Sequence, residues 1–348
     1  MTHQTPPSTH STGDHAADTA RTWVISDGAA GNERQVLALA AAMGLAATVH
    51  RVGLRPPWRW FAPRLTTRLD LALPLPQRRE FVPPWPQFVI GCGRQAATLT
   101  RALRARSGGA TFTVQILDPR VDAALFDLVI APRHDGLSGA NVIQTLGALN
   151  PVDDAWLAKA AAEFSTLRQL PQPRTALLVG GPHRELVLDA GWFDALIAQL
   201  EALLARDGGS LMITLSRRTP AAWAMRLRGA FHTGCTYFWG GVPDGDNPYS
   251  GYLAHADRIV VTPDSVNMLS EACATGKPVM SYLPRAARGK LAVFHAALRA
   301  QGRLHDLPDA AISPSPPVPP LRETAIVADA VWQRYRARQA PSQQGVDN

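Results

Sequence analysis

The feature that most constrains this chain is a unit that recurs along it: a short apolar, β-branched run, a glycine-bearing turn, then an Ala/Leu-rich stretch of helical period. Residues 22–26, the turn 27–32 and a helix over 33–43 make the first unit, with Gly44 in the C-cap place. Residues 88–90, the turn 91–93 and a helix over 94–106 repeat it, and strands are expected over 48–52, 111–117 and 128–130. A second series follows a helical region at 151–173, with strands over 175–179, 210–215, 258–262 and, last, 278–282, and a helix over 192–204. Strands alternating with helices build a parallel sheet covered on both faces, so the fold class is doubly wound α/β.

At 348 residues the chain exceeds what one core serves. The predicted division is 21–150 and 151–310, two Rossmann-like domains whose strand-end turns face each other across a cleft. Residues 311–338 read as a proline-rich linker and a helix from about 323 that crosses back onto the first domain. Residues 1–20 and 339–348 read as tails. The first tail lacks the basic start and apolar stretch of a secretory signal, which points to the cytoplasm.

The net charge of +7, mostly arginine, favours an anionic partner. The arginines stand singly or in pairs and are not interleaved with aromatics on a known module, so no nucleic acid is expected. Cys92, Cys235 and Cys273 are too far apart for a zinc pattern or a disulfide framework, so neither a metal nor a resident cofactor is expected.

The strongest local signal is VVTPDSVNMLSEACATGKPV at 260–279. Asp264 or Ser265 would cap a helix whose free N–H groups and positive dipole end suit a phosphate. Glu271 lies two turns on, along roughly the same face, where a carboxylate suits a ribose diol. The plainer alternative is two caps and a solvated glutamate.

The stretch from Ser265 to Val279, with Glu271, Ala272, Ala274, Gly276, Lys277 and Pro278, resembles the donor-binding helix of glycosyltransferases of the two-Rossmann, or GT-B, type. More widely, Ser26-Asp27-Gly28 through Gln35, Gly91-Cys92-Gly93-Arg94, Leu117-Asp118-Pro119-Arg120, the run from Ala131 to Gly136, and Asn247-Pro248-Tyr249 together resemble the mitochondrial fission "elongated mitochondria" family over residues 20–300. Its plant members are associated with recruiting a dynamin-like protein to mitochondria. The Ala/Arg/Pro-rich composition resembles that of a bacterial member. The glycosyltransferase resemblance implies a donor-side second domain and an acceptor-side first domain, with the donor diphosphate at Asp264 and Ser265 and its ribose at Glu271. It also implies that Gly180, Gly181, Ser216 and Arg217 line the donor site. Arginine suits a pyrophosphate because its planar fork donates two hydrogen bonds and keeps its charge.

In the first half, Asp27, Gly28 and Gly31 sit in a strand-to-helix turn where small residues allow close approach. The turn lacks G-x-G-x-x-G and Gly-Lys-Ser/Thr, so neither NAD nor ATP follows. Asp27 is a general base or an Asx turn, and Arg94 faces an anion or solvent. Cys92, with no adjacent histidine, reads as a packed residue. Pro132 to Gly136 groups a cation, an imidazole and a carboxylate, making His134 and Asp135 acid/base candidates or parts of a plain turn. Residues 237–252 read as an aromatic, glycine-rich loop, with Asn247 and Tyr249 as cleft candidates. Trp58, Trp60 and Phe61 stand among Arg55, Arg59 and Arg64, a composition that suits a membrane surface or a loop packed under the domain.

These readings combine into a metal-independent transfer of a sugar from a nucleotide-sugar co-substrate to an unidentified acceptor, with peripheral membrane contact placing the protein on the inner face of the membrane. Two alternatives stand beside it: a non-catalytic protein that binds a partner or a membrane on the same fold, and a nucleotide-sugar epimerase.

Overall fold

The computed structural model describes residues 21–232, 234–307 and 318–340. Two six-stranded sheets form its centre. The first holds β1 (Thr22–Ser26), β2 (Ala47–Arg51), β3 (Phe88–Cys92), β4 (Phe112–Ile116), β5 (Leu128–Pro132) and β6 (Val142–Thr145) in the order β2-β1-β3-β4-β5-β6. The second holds β7 (Arg174–Val179), β8 (Ser210–Leu215), β9 (Thr236–Trp239), β10 (Arg258–Val261), β11 (Val279–Ser281) and β12 (His305–Asp306) in the order β12-β11-β10-β7-β8-β9. Every pairing is parallel, as βαβ crossovers require. The central strands are buried on both faces, so their side chains serve a core on each side of the sheet.

Eleven helices are described: α1 (Ala30–Ala42), α2 (Trp58–Phe61), α3 (Leu75–Arg78), α4 (Arg94–Arg106), α5 (Asp154–Glu163), α6 (Ala190–Asp207), α7 (Ala221–Ala230), α8 (Tyr249–His255), α9 (Val266–Ala274), α10 (Gly289–Ala300) and α11 (Glu323–Gln339). Asp153, Asp189 and Ser265 cap α5, α6 and α9, each accepting from a backbone N–H of the first turn.

The structure corrects several expectations. Helix α1 begins three residues before the predicted 33, since Ala30 and Gly31 carry no conflicting side chain. The segment 278–282 does not hold the last strand, because β12 adds beside β11. The aromatic stretch at 237–252 is not a single loop: β9 ends at Trp239, one 3-10 turn covers Val242–Asp244, and α8 begins at Tyr249. Of the proline-rich segment, residues 312–317 lie outside the described residues, as do 1–20 and 341–348.

Helix α11 straps the two halves together. Val327, Ala328 and Val331 pack into the first domain's core beside Val36 and Leu39, and the Trp332 indole N–H donates to Met43 O at 3.2 Å. Its first residue, Glu323, accepts from Leu146 N at 2.8 Å and Gly147 N at 3.0 Å in the segment leaving β6, which fixes the joint between the halves. Thr324 does the same for Asn150.

Candidate functional site

The carboxyl ends of β3, β4 and β5 face the starts of α9 and α10 across a cavity of about 580 Å³. Arg94, Arg120, His134 and Asp135 line it from the first domain, and Asn267 and Lys290 from the second. Val266 and Asn267 are the first two residues of α9, so the start of that helix borders this space. A second cavity of about 760 Å³ lies on the other side of α1, where Glu33, Arg34, Arg51 and Arg217 line it. Asn32 and Gln35 of the same helix line the first cavity, so α1 divides the cleft.

The turn ahead of α9 is tied down from three directions. The buried Asp264 carboxylate accepts from Gly181 N at 2.9 Å, from the Thr262 hydroxyl at 2.7 Å and from Arg218 Nη2 at 2.6 Å. Gly180 and Gly181 are glycines for a stated reason: a Cβ on Gly180 would fall 2.2 Å from Asp264 Oδ2, and one on Gly181 would fall 2.3 Å from Arg218 O. Asp264 therefore shapes the turn, and Ser265 alone caps the helix, accepting from Met268 N. The arginine bound to Asp264 is Arg218. Arg217 is exposed and lines the second cavity. The Ser216 hydroxyl bonds Thr219 and accepts from Arg218 N, closing that turn.

Glu271 is 2% exposed, which sets aside the solvated reading of it. Its carboxylate accepts two hydrogen bonds from Arg34 Nη1, at 2.7 and 2.8 Å, and one from the Tyr249 hydroxyl. The Arg34 guanidinium also lies 5.3 Å from the centre of the Tyr249 ring. Burial and the Glu271 charge push the Tyr249 phenol well up, so it remains a donor. Asn247 is exposed and accepts from Tyr249 N, an Asx turn that starts α8.

Of the acid/base candidates, two are already engaged. Asp27 accepts from Ala29 N and Asn32 Nδ2, both at 3.1 Å, the Asx arrangement. Asp135 accepts from Lys290 Nζ at 2.6 Å, an ion pair across the cleft. His134 differs: its Nδ1 is buried without a hydrogen-bond partner among the described residues, and its ring packs against Phe294. Burial lowers its pKa, with Lys290 adding to the effect and Asp135 opposing it, so the imidazole is neutral at pH 7.

Gly28 has φ +79°, a conformation that favours glycine. Gly31 lies so near Asn267 that a Cβ would sit 2.0 Å from Asn267 Nδ2, so its smallness serves the contact between α1 and α9. Arg94 lines the first cavity and donates to Arg59 O at 3.3 Å. Cys92 is fully buried and burial drives its thiol pKa far up, which fits a packed residue. Trp58 is half-buried against the first domain's core and donates to Thr67 O at 2.8 Å, which removes it from the membrane-facing set; Trp60 and Phe61 remain exposed. Arg34, Arg120, Asn267 and Lys290 were missed at the sequence level. Their roles depend on the juxtaposition of the two domains, which no local motif records.

Among the described residues no three His, Cys, Asp or Glu side chains gather as a metal-binding group, and no helix is long and apolar enough to cross a membrane.

Two parallel sheets facing across a cleft, with a capped helix start bordering it, define a protein of the two-Rossmann, GT-B-like class. Solved structures with this arrangement include a UDP-GlcNAc 2-epimerase from Methanocaldococcus jannaschii, at TM-score 0.55 and 11% identity, covering 90% of this chain and 99% of that one. They also include Staphylococcus aureus MnaA with UDP, at TM-score 0.51 and 12% identity, covering 90% of each. Within that class the chain belongs to the mitochondrial fission ELM1 family, whose model matches residues 30–335. It is 32% identical over 287 residues to the Arabidopsis thaliana mitochondrial fission protein ELM1, covering 75% of this chain and 66% of that protein, just under two thirds of its length. An uncharacterised Rickettsia prowazekii protein is 26% identical over 301 residues, covering 75% of this chain and 83% of its own.

Proposed function

We propose that the chain binds a nucleoside diphosphate sugar in the cleft and transfers the sugar to an acceptor hydroxyl without a metal. The observation that carries this reading is the cavity of about 580 Å³ that the α9 start borders, faced by Arg94, Arg120 and Lys290. A helix start with nearby guanidinium and ammonium groups is suited to a diphosphate leaving group. The UDP in the S. aureus neighbour supports the nucleotide class.

In the proposed step the acceptor oxygen bonds to the anomeric carbon while the bond from that carbon to the phosphate oxygen breaks. The diphosphate leaves with the electron pair, held by the α9 N–H groups, Arg94 and Lys290. The acceptor proton goes to His134, which lines the cavity and is neutral at pH 7. The test is a thermal-shift series with uridine and guanosine diphosphates and their sugars, followed by measurement of nucleotide release. One nucleotide should raise the midpoint, Lys290→Ala and Arg94→Ala should weaken that rise, and His134→Ala should bind but not turn over. No stabilisation by any nucleotide overturns the reading.

A second reading has its own observation. Glu271, the expected ribose carboxylate, is filled by Arg34 and Tyr249. That arrangement favours a member that has kept the fold and binds a partner, and it gains if no nucleotide binds. Conversion of a free nucleotide sugar with no acceptor present would identify an epimerase instead.

A further inference from the structure

Residues 52–69 contain four arginines and no acidic residue. All four, Arg55, Arg59, Arg64 and Arg68, are exposed, and among the described residues none takes part in an ion pair. Between them, on the single turn of α2, Trp60 is 69% exposed and Phe61 60% exposed. Exposing two adjacent aromatic rings forgoes a large hydrophobic gain, which Trp58 of the same turn secures by packing inward. The turn is nevertheless well anchored: Arg94 Nη2 bonds Arg59 O at 3.3 Å, and Arg101 Nη2 bonds Arg64 O and the Thr66 hydroxyl at 3.0 Å each. Two outward aromatic rings on a fixed corner, flanked along the chain by exposed arginines that form no ion pair among the described residues, suit a surface that is apolar just beneath a layer of negative charge.

We propose that this α2 corner docks onto the headgroup layer of an anionic lipid bilayer, with Trp60 and Phe61 entering the interface and the four arginines meeting lipid phosphates. Tryptophan settles at the boundary between headgroups and acyl chains, and arginine both pairs with phosphate and tolerates partial dehydration. Duplex nucleic acid offers the charge but keeps its base faces stacked and presents no apolar layer for the aromatic pair. A standard protein interface buries about 800 Å² on each partner and is depleted of charge at its centre, unlike a turn whose two rings stand among four cations. Because Arg94 both holds this corner and lines the cavity, a docked bilayer lies beside the cleft, where an acceptor anchored in lipid reaches it. The surface requires no nucleotide, so it stands or falls separately from the function proposed above.

The experiment is co-sedimentation of the full chain with vesicles of phosphatidylcholine alone, or of phosphatidylcholine with phosphatidylglycerol, at low and high salt. Wild type should partition onto the anionic vesicles, weakly onto the neutral ones, and less at high salt. Arg59→Glu/Arg64→Glu should lower the anionic partition by more than ten-fold, since each basic residue near such a surface is worth on the order of five-fold. Trp60→Ala/Phe61→Ala should also lower it about ten-fold and reduce the part that survives high salt. Arg334→Glu/Arg336→Glu, on exposed positions of α11, makes the same change in net charge and should lower it by less than three-fold. All these side chains are exposed, so the melting midpoints of the variants should match wild type. Equal loss in the α11 control, unchanged partition in the α2 variants, equal binding to neutral vesicles, or binding of duplex DNA in place of vesicles would each overturn the proposal.

Discussion

Arg34 and Glu271 stand 237 residues apart in the chain and meet across the domain cleft through two hydrogen bonds of 2.7 and 2.8 Å. Glu271 is almost wholly enclosed, whereas the Arg34 side chain is 44% exposed, so water discounts the pair from one side only. Its partner Tyr249 lies on α8, and α8 and α9 belong to the second domain, so the contact latches α1 onto that domain. A ligand ribose that uses Glu271 has to displace Arg34.

Arg34→Ala leaves the buried carboxylate with the Tyr249 hydroxyl alone. The expected loss is about 2 kcal/mol, below the cost of breaking a fully buried pair because Arg34 is half-exposed. Calorimetry should show a fall of roughly 5 °C in the melting midpoint. On the nucleotide reading, the same variant should show a larger rise with nucleotide than wild type, because the ribose no longer competes with a guanidinium. An unchanged midpoint would remove the latch.

The sequence reading succeeded where burial leaves a one-dimensional trace. Leu211, Met212 and Ile213 are almost wholly enclosed, so β8 reads as a strand from the apolar run at its centre. Strands β6, β9 and β12 escaped notice because they lie at sheet edges and are half-exposed or two residues long, as with Val142 and His305. The helix start at Ser265 was legible from its own cap, since capping is local. The partners of Glu271 were not, because the choice of Arg34 is made by the docking of two domains. That Arg218 pairs with Asp264 was not legible either, because the turn after β8 decides which of two neighbouring arginines reaches that carboxylate.

Lys277 belongs to the stretch that resembles a donor-binding helix, yet its ammonium points away from the cavity. Nζ donates to Leu253 O and Ala254 O, both at 2.6 Å, and so caps the last carbonyls of α8. Burial lowers its pKa to about 8, with Asp257 opposing that effect. Lys277→Met keeps the apolar stem and removes the donors, and the expected cost is about 2 kcal/mol. Urea denaturation should show that loss while ligand affinity stays constant; a fall in nucleotide affinity without a fall in stability would place Lys277 in the site.

His295 supplies a pH dependence. It is 1% exposed on α10, and its ring nitrogen Nε2 donates to Pro263 O at 2.8 Å, behind the turn that starts α9. Burial lowers its pKa to about 4, with Arg299 adding to the effect and Asp264 opposing it. An unfolded histidine titrates near 6.5, so between about pH 6.5 and pH 4 the unfolded chain binds the extra proton, and stability falls as pH falls. By about pH 5 the loss from this group is of order 2 kcal/mol. His134, shifted in the same direction, adds to that loss. His295→Gln should flatten the slope of unfolding free energy between about pH 7 and pH 5 relative to wild type. An identical slope in the variant would show that His295 is not the group responsible.

Gly180→Ala tests whether Asp264 shapes the site or binds ligand. The added methyl group would overlap the whole Asp264 carboxylate, at 2.2 Å from Oδ2, 2.3 Å from Oδ1 and 2.5 Å from Cγ. Asp264 cannot swing aside without losing its hydrogen bonds to Gly181 N, Thr262 and Arg218. The expected cost is about 3 kcal/mol, the upper range for overpacking, and the α9 start should shift with it. Asp264→Asn keeps the side-chain volume, removes the charge that holds Arg218 and should cost less, about 1 to 2 kcal/mol. If Asp264 is structural, as these bonds indicate, ligand affinity in Asp264→Asn should fall only in proportion to the loss of stability, read from paired melting and ligand titrations. A loss of affinity at unchanged stability would make Asp264 a direct ligand contact and move the anion subsite from the first turn of α9 to the turn that precedes it.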